Sequence, residues 1–237
     1  MSAAEERLGR DPTSELWGEH RSRYRFAAQW VAGKRVLDVA CGAGFGLEML
    51  RAAGACAIGV DLDFAPLRGS RRQVQADAAR LPLADASMDV IVSFETIEHV
   101  PDARALVHEL RRVLRPGGVL VLSTPNREFG PPERHTGNPF HVQEFTAPQL
   151  EALLGESFDD VQLYGQRPDP SYRFVPYLMV ERNLSPEALA WKALNRLPFG
   201  VKERFARGVS GRSFYPSEAD YRFDGTGGAH ALVAVAS

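Results

Sequence analysis

The stretch from Val36 to Gly46, VLDVACGAGFG, constrains the fold of this chain more than any other stretch. Apolar residues typical of a buried strand run into a glycine-rich turn, and a helix-like segment follows from Leu47 to Ala53. Glycine has no Cβ atom, so the backbone N–H groups of such a turn can approach a bound ligand closely. The pattern predicts a strand, a ligand-binding turn and a helix. The simpler alternative is a tight turn that only connects the strand to the helix.

A carboxylate after the next strand indicates the kind of ligand. The predicted strand from Ala55 to Val60 leads directly into Asp61, about 20 residues after the glycine loop, where an acid suits the two hydroxyls of a ribose. Dinucleotides and S-adenosylmethionine (SAM) both contain that ribose. The glycines read G-x-G-x-G instead of G-x-G-x-x-G, and Asp38 lies inside the first strand. A carboxylate beneath the loop repels a pyrophosphate and suits an ammonium and a sulfonium, so the pattern favours SAM over NAD.

Composition and charge narrow the class of protein. We expect residues 1–237 to form a single domain with an N-terminal helical segment over 1–34, because a chain of 237 residues buries a sizeable core. The net charge of -2 argues against nucleic acid as a partner. Two cysteines without metal-type spacing predict a reducing, cytoplasmic setting. We expect neither a signal peptide nor a membrane span, since no run of about 18 apolar residues occurs.

Hydrophobic periodicity predicts alternating strands and helices, and therefore an α/β protein with a largely parallel sheet. The predicted helices are Ser14 to Val31, Pro101 to Arg115 and Ala147 to Leu154, the last capped by Thr146. Besides the two strands already described, the predicted strands are Val74 to Ala76, Asp89 to Ser93, Val119 to Ser123, Asp160 to Tyr164 and Ala229 to Ala236.

The order of these motifs resembles the class I SAM-dependent methyltransferases, whose first motif reads much like VLDVACGAG. The later stretches QADAARLPL and SMD match a family pattern of LPF followed by SFD, so the resemblance extends over residues 35–125. It implies a Rossmann-like, doubly wound sheet of seven strands whose last strand is antiparallel. The last two strands are expected to form a hairpin at the sheet edge, with a helical, aromatic insertion before the last strand.

The resemblance implies SAM as the cofactor and assigns residues to it. Asp61 is expected to accept hydrogen bonds from the ribose, Leu62 to pack on the adenine, and Asp77 to bind the adenine amino group beside the N–H of Ala78. The other residues assigned to the cofactor are Asp38, Ala40, Gly42, Gly44 and Ser93.

The segment FETIEHV, after the fourth strand, brings three ionisable residues together. Glu95, Glu98 and His99 are spaced i, i+3 and i+4, which places them on one face of a helical turn. Two carboxylates and an imidazole directed into one site are costly unless a cation lies between them, and Mg²⁺ or Mn²⁺ suits such a set. Without a metal, His99 is a general base or the motif is structural.

The E-x-x-E-H run is similar to the metal motif of ubiquinone-biosynthesis O-methyltransferases and of small-RNA terminal 2′-O-methyltransferases. That resemblance makes His141 the candidate fourth ligand, with His135 a weaker substitute. It implies a metal set of Glu95, Glu98, His99 and His141. We expect Glu98, His99 and His141 to be the catalytic residues.

Residues 165–228 depart from the resembled pattern. They contain 10 of the 22 aromatic residues, and their 10 basic and 7 acidic side chains make the segment locally +3. We interpret it as an insertion that serves as a substrate lid or as the surface of a homodimer, or else as a pack that shields the sheet edge.

Four functions fit these patterns. The leading hypothesis is SAM-dependent methyl transfer to a hydroxyl of a small molecule or sugar. The alternatives are methylation of a small-molecule amine, methylation of an RNA ribose 2′-hydroxyl, and a SAM-binding regulatory subunit without catalysis. A dehydrogenase that uses NAD is disfavoured by Asp38 and by the glycine spacing.

Overall fold

The computed structural model describes residues 16–63, 72–129, 140–170, 172 and 196–237. Its centre is one eight-stranded sheet with the order β3-β2-β1-β4-β5-β8-β6-β7. Strands β1 to β5 run parallel to one another. Strand β8 is antiparallel to β5 and β6, and β7 is antiparallel to β6. The strands are β1 Arg35–Val39, β2 Cys56–Asp61, β3 Gln73–Gln75, β4 Met88–Phe94, β5 Leu114–Pro125, β6 Val161–Pro168, β7 Tyr221–Asp224 and β8 Ala231–Ala236.

Helices cover both faces of the sheet, as expected for a doubly wound fold. Among the described residues, α1 Trp17–Ala27 and α2 Phe45–Ala52 lie on one face, and α3 Ala103–Val113 and α4 Ala147–Gly155 lie on the other. A further helix, α5 Phe199–Ser210, contributes no residue to the core on either face. Successive strand residues point to opposite faces, and in β1 Val36 packs with α1 and α2 whereas Leu37 packs with α3 and α4. Thr146 caps α4 in a capping box, as predicted. None of the described helices is long and apolar enough to cross a membrane.

The predicted α/β, doubly wound architecture is confirmed, but the predicted strand count is wrong. An eighth strand, β7, comes from within residues 165–228 and forms the edge of the sheet. The last strand is antiparallel as predicted, yet it lies between β5 and β6 and not at the edge. Strand β6 also continues to Pro168, so the first residues of the predicted insertion belong to the sheet.

The junction between α3 and β5 also differs from the prediction. The helix ends at Val113 and not at Arg115, and β5 begins at Leu114 and not at Val119, so the strand includes the Pro-Gly-Gly sequence of residues 116–118. Leu114 is buried and pairs with Met88, and the register shifts before Val90 meets Val119. A β-bulge at this point accommodates the extra residues.

A buried guanidinium, that of Arg23, connects helix α1 to β6 in the antiparallel half of the sheet. The side chain of Arg23 is fully buried, and its Nε donates to Oε1 of Gln166 on β6 at 2.7 Å. Its Nη2 donates to Glu19 Oε1 at 2.7 Å, and its Nη1 lies 3.4 Å from Glu95 Oε1. Arg23 therefore connects α1, β6 and the segment after β4.

Candidate active site

The glycine loop after β1 has the backbone conformation that its sequence predicts. Gly42 and Gly44 have φ angles of +52° and +78°, a region that costs glycine little. Gly44 is the residue before α2, so the loop ends at the N-terminus of a helix. Ala40 also has a positive φ of 58°, which puts a non-glycine residue in a strained conformation beside the loop.

The third glycine of the loop provides room for α1. A Cβ atom at Gly46 would lie 2.0 Å from Cζ of Tyr24, so the tyrosine ring packs directly on the first turn of α2. The hydroxyl of Tyr24 donates to the carboxyl group of Asp38, at 3.2 Å from Oδ1 and 3.3 Å from Oδ2. The G-x-G-x-G spacing thus fits a tyrosine between the loop helix and the buried acid, a contact that the sequence pattern does not reveal.

Asp38 lies beneath the loop, as predicted, and is completely buried. Burial raises the pKa of its carboxyl group from 3.8 to about 8, since a charge is poorly solvated there. The hydrogen bond from Tyr24 lowers that pKa, and the charge of Asp61 raises it. The carboxyl group is therefore mostly protonated at neutral pH unless a cation comes close.

Asp61 lies at the tip of β2, directly across from the loop. Its Oδ2 accepts the N–H of Gly42 at 2.8 Å, and its Oδ1 accepts the N–H of Asp63 at 2.9 Å. A carboxylate offers about four acceptor positions, so both oxygens can still accept further hydrogen bonds. Leu62, beside it, is 69% exposed and presents an apolar surface at the same edge.

The remaining residues assigned to the cofactor lie along the same sheet edge. Asp77 follows β3, is exposed, and accepts the N–H of Ala79 at 2.9 Å in a turn that also contains half-buried Ala78. Ser93 lies near the end of β4, between Val39 and Leu122 of the neighbouring strands. It is completely buried, and its hydroxyl has no hydrogen-bond partner among the described residues.

Glu95 does not join the predicted metal set. The helical turn expected from residue 95 begins only at Ile97, as a short 3₁₀ turn, and Glu95 has a φ of +49°. Its Oε1 accepts the hydroxyl of Ser123 at 2.8 Å and lies 3.4 Å from Arg23 Nη1. The i, i+3, i+4 argument fails here because the backbone turns before the helix begins and Arg23 holds the side chain.

The other three predicted ligands converge. Glu98, His99 and His141 each offer a ligand atom within 4.8 Å of the others, and we call these three residues the His–Glu cluster. It lies where β4 and β5 end, because Oε2 of Glu98 accepts the hydroxyl of Thr124 at 3.0 Å. The rings of His99 and His141 meet edge to face with centroids 5.0 Å apart. His135 lies outside the described residues.

Both imidazoles of the cluster are oriented by a hydrogen bond at Nδ1. Nδ1 of His99 lies 3.0 Å from the carbonyl oxygen of Phe140, and Nδ1 of His141 lies 2.9 Å from Oε1 of Glu144. A carbonyl oxygen can only accept, so in His99 the proton is on Nδ1 and the lone pair is on Nε2. The carboxylate favours the same tautomer in His141.

The matching family model is that of the methyltransferase domain, over residues 37–122, which contain the loop, Asp61, Asp77 and two members of the His–Glu cluster. This match confirms the resemblance to class I SAM-dependent methyltransferases over that part of the chain. A probable SAM-dependent methyltransferase of Mycolicibacterium smegmatis is 42% identical over 142 residues, which cover 57% of this chain and 55% of that protein. The chain therefore spans little more than half the length of this relative.

Two further proteins are similar to this chain. A ubiquinone biosynthesis O-methyltransferase of Pseudomonas aeruginosa is 36% identical over 111 residues, covering 41% of this chain and 47% of that protein. A solved structure from Thermotoga maritima, described as a SAM-dependent methyltransferase and possible histamine N-methyltransferase, superposes with a TM-score of 0.63. That likeness covers 93% of this chain and 89% of the other at 17% identity, so it shows the shared fold alone.

The His–Glu cluster fits a divalent ion. Oε1 of Glu98 is fully buried and has no hydrogen-bond partner among the described residues, which is costly for a carboxylate. Metal-binding histidines usually donate their second ring N–H to a carbonyl or carboxylate, as His99 and His141 can do here. With Glu95 withdrawn, the donors are two imidazoles and one carboxylate. Imidazoles suit Mn²⁺ and later transition metals better than Mg²⁺.

Burial and the charge of Glu95 raise the pKa of Glu98 well above its usual value. Its carboxyl group therefore favours the protonated form in the ion-free protein, and an ion would have to displace that proton. The sequence predicted Glu98 but not Thr124 and Arg23, which fix the two carboxylates of the motif. Neither residue lies in a motif, so no local pattern identifies them.

Proposed function

We propose that this protein transfers the methyl group of SAM to a hydroxyl of a small molecule or sugar. The observation that carries the proposal is the convergence of Glu98, His99 and His141 at the carboxyl ends of β4 and β5. The glycine loop follows β1, the strand next to β4, and in a parallel sheet ligands bind at the carboxyl ends of the strands. A cofactor held by the loop would therefore lie at the same edge of the sheet as a basic group.

In the proposed reaction, the acceptor oxygen attacks the methyl carbon while the carbon–sulfur bond breaks. The sulfonium becomes the thioether of S-adenosylhomocysteine (SAH), and the hydroxyl proton must be taken up by a base. Nε2 of His99 has its lone pair directed away from Phe140, and it is the base we assign. A divalent ion such as Mn²⁺ held by Nε2 of His99 would occupy that lone pair, so His99 is the base only in the ion-free site. The ion would instead lower the pKa of the acceptor hydroxyl, whose proton would pass to solvent.

The His–Glu cluster is the feature that supports a hydroxyl acceptor over an amine acceptor. An amine acceptor is nucleophilic without a strong base, whereas a hydroxyl requires one, and the His–Glu cluster supplies it. The similarity to ubiquinone biosynthesis O-methyltransferases also supports a hydroxyl acceptor, although it covers less than half of either chain.

SAH formation with a panel of hydroxyl and amine acceptors tests the proposal. We expect His99→Asn and Glu98→Gln to lower kcat at least about 100-fold with hydroxyl acceptors, while SAM binding measured by calorimetry stays unchanged. The control is His108→Asn, because His108 is exposed on α3, outside the cluster. Unaltered turnover in His99→Asn, or turnover with amines alone, contradicts the proposal.

The metal is tested separately. We expect EDTA to abolish methyl transfer and Mn²⁺ to restore it better than Mg²⁺, with SAM binding intact throughout. Full activity after rigorous metal removal would refute the metal and leave His99 as a base acting alone.

A further inference from the structure

Helix α5 presents a row of apolar side chains to solvent. Val201, Phe205 and Val209 are 51%, 53% and 74% exposed, and Leu197, just before the helix, is 41% exposed. Spacing of four residues puts them on one face of the helix. Four of the eight large apolar side chains exposed in the described residues thus lie in one short segment. Contiguous exposed apolar surface usually marks a site of interaction.

The opposite face of α5 is anchored to the protein by polar contacts. Nζ of Lys202, which is buried, donates to the hydroxyl of Tyr215 at 2.9 Å and lies over its ring and that of Phe214. Oε2 of Glu203 accepts from the hydroxyl of Ser213 and from the N–H of Phe214, both at 2.9 Å. These contacts fix the rotation of the helix, so the apolar row faces outward as part of the folded structure.

The apolar row lies in a strongly basic segment. Residues 196–212 contain five basic side chains and one acidic side chain, a charge of +4, whereas the rest of the chain carries -6. Arg196, Arg204, Arg207 and Arg212 are exposed. Arg207 pairs with Glu203 at 2.7 Å, and Arg212 lies 3.9 Å from Asp169, so Arg196 and Arg204 are the arginines we assign to lipid phosphates. Arg204 follows Val201 by three residues and therefore lies next to the apolar row.

Charge decides which occupant suits this face. A second copy would bring two segments of +4 together, which like-charge repulsion opposes. RNA would use the arginines, and an unpaired base could stack on Phe205, but Leu197, Val201 and Val209 are not aromatic and offer no stacking surface. An anionic bilayer attracts each exposed arginine, and its acyl region accepts valine and phenylalanine. Basic side chains beside an outward apolar face are the pattern of helices that lie in a membrane interface.

We propose that helix α5 docks this protein onto an anionic membrane surface, with Val201, Phe205 and Val209 entering the interface and the flanking arginines at the level of the lipid phosphates. Such binding is peripheral and reversible, and it depends on salt because the charges are solvent-exposed. It does not rest on methyl transfer, so it can fail while the proposed reaction stands.

Vesicle flotation with the full chain tests the proposal. We expect the protein to float with vesicles of phosphatidylcholine containing about 30% phosphatidylglycerol and not with phosphatidylcholine alone, and to be released by high salt. Phe205→Ser and Val209→Ser should each reduce the bound fraction roughly fivefold or more. Arg204→Gln should weaken binding and lower its salt dependence. The matched control is Val74→Ser, which changes a valine that is 49% exposed in the strand at the opposite edge of the sheet.

Circular dichroism and a SAM titration verify that each variant is folded. Absence of binding to phosphatidylglycerol vesicles overturns the proposal, as does binding that Phe205→Ser and Val209→Ser leave unchanged. A concentration-dependent dimer that Phe205→Ser dissociates would assign the face to a second copy. Salt-sensitive RNA binding without vesicle binding would assign it to nucleic acid. Either result also refutes membrane docking.

Discussion

Asp38 is an acid that folding places where it is poorly solvated. Its carboxyl group is buried with a pKa of about 8, raised by burial and by Asp61 and lowered by the hydrogen bond from Tyr24 and the charge of Arg51. The N–H groups of the loop and the charge of Asp61 lie just above it. A cationic ligand bound at the loop would favour the ionised form, so ligand binding and proton release are coupled at this residue.

We therefore predict that SAM binding releases a proton at pH 7 and tightens as the pH rises from 6 to 8. The sign follows from the direction of the shift: below the raised pKa the ligand-free protein holds a proton that the bound form gives up. Calorimetric titrations in two buffers of different ionisation enthalpy measure the release. Asp38→Asn should abolish both the release and the pH dependence. Equal heats in the two buffers for the unaltered protein would contradict the coupling.

The two carboxylates of the E-x-x-E-H run should behave differently toward a metal. We predict that Glu98→Gln lowers Mn²⁺ affinity at least about 10-fold, because Glu98 supplies the carboxylate of the cluster. Glu95→Gln should change it little, because Glu95 is held by Ser123 and Arg23. Mn²⁺ affinity should also rise with pH, since the proton on Glu98 must leave. Electron paramagnetic resonance of free Mn²⁺ measures the affinity of both variants. An equal loss of Mn²⁺ affinity in the two would show that Glu95 is also a ligand.

The sequence indicated most residues of the candidate site but not all of their orientations. Asp61, Glu98 and His99 were singled out because each directly follows a strand or lies in a short motif. Glu95 was placed wrongly because its partner, Arg23, lies far away in sequence on another helix. A contact of that kind depends on tertiary packing, which local spacing does not encode.

At the scale of elements, the packing of α1 on α2 depends on one missing side chain. We predict that Gly46→Ala destabilises the protein by about 1–3 kcal/mol, because its Cβ would overlap the ring of Tyr24 in a packed core. Urea denaturation measures the change. Gly208→Ala is the matched control: a Cβ atom there would have no neighbour within 4 Å, and alanine should stabilise α5 by up to about 1 kcal/mol. Similar effects of both substitutions would contradict the packing argument.

Elements with a single strong pattern were predicted well. Strand β1 was recognised from the apolar residues that run into the glycine-rich turn, and β4 was recognised from a continuous apolar run because both faces of a central strand are buried. Strand β7 was missed because it has only four residues, YRFD, too few for their alternation of buried and more exposed side chains to indicate a strand. Its position is fixed by pairing with β6, which again lies beyond local pattern.

At the scale of the whole molecule, the residues predicted to bind the cofactor and the His–Glu cluster follow different strands of the same half of the sheet. The loop, Asp61 and Asp77 lie at the ends of β1, β2 and β3. The cluster follows β4 and is hydrogen-bonded to Thr124 near the end of β5. The other half of the sheet contains β6, which is connected to α1 by the hydrogen bond from Arg23 to Gln166. A ligand that joins the ends of several strands opposes their separation, so its binding should be visible in global unfolding.

We predict that SAH at about 100 times its Kd stabilises the protein by about 2.7 kcal/mol against unfolding. For a chain of this size that corresponds to a rise in Tm of roughly 5–10 °C. Asp61→Asn should lose most of the rise at the same SAH concentration, because an amide cannot accept from two ribose hydroxyls and from the N–H of Gly42 as a carboxylate does. The control is Asp159→Asn, which changes an exposed aspartate before β6 and should retain the full rise in Tm. NAD at the same concentration should leave Tm unchanged. A rise with NAD, or a full rise in Asp61→Asn, would show that the loop and Asp61 do not form the SAM site.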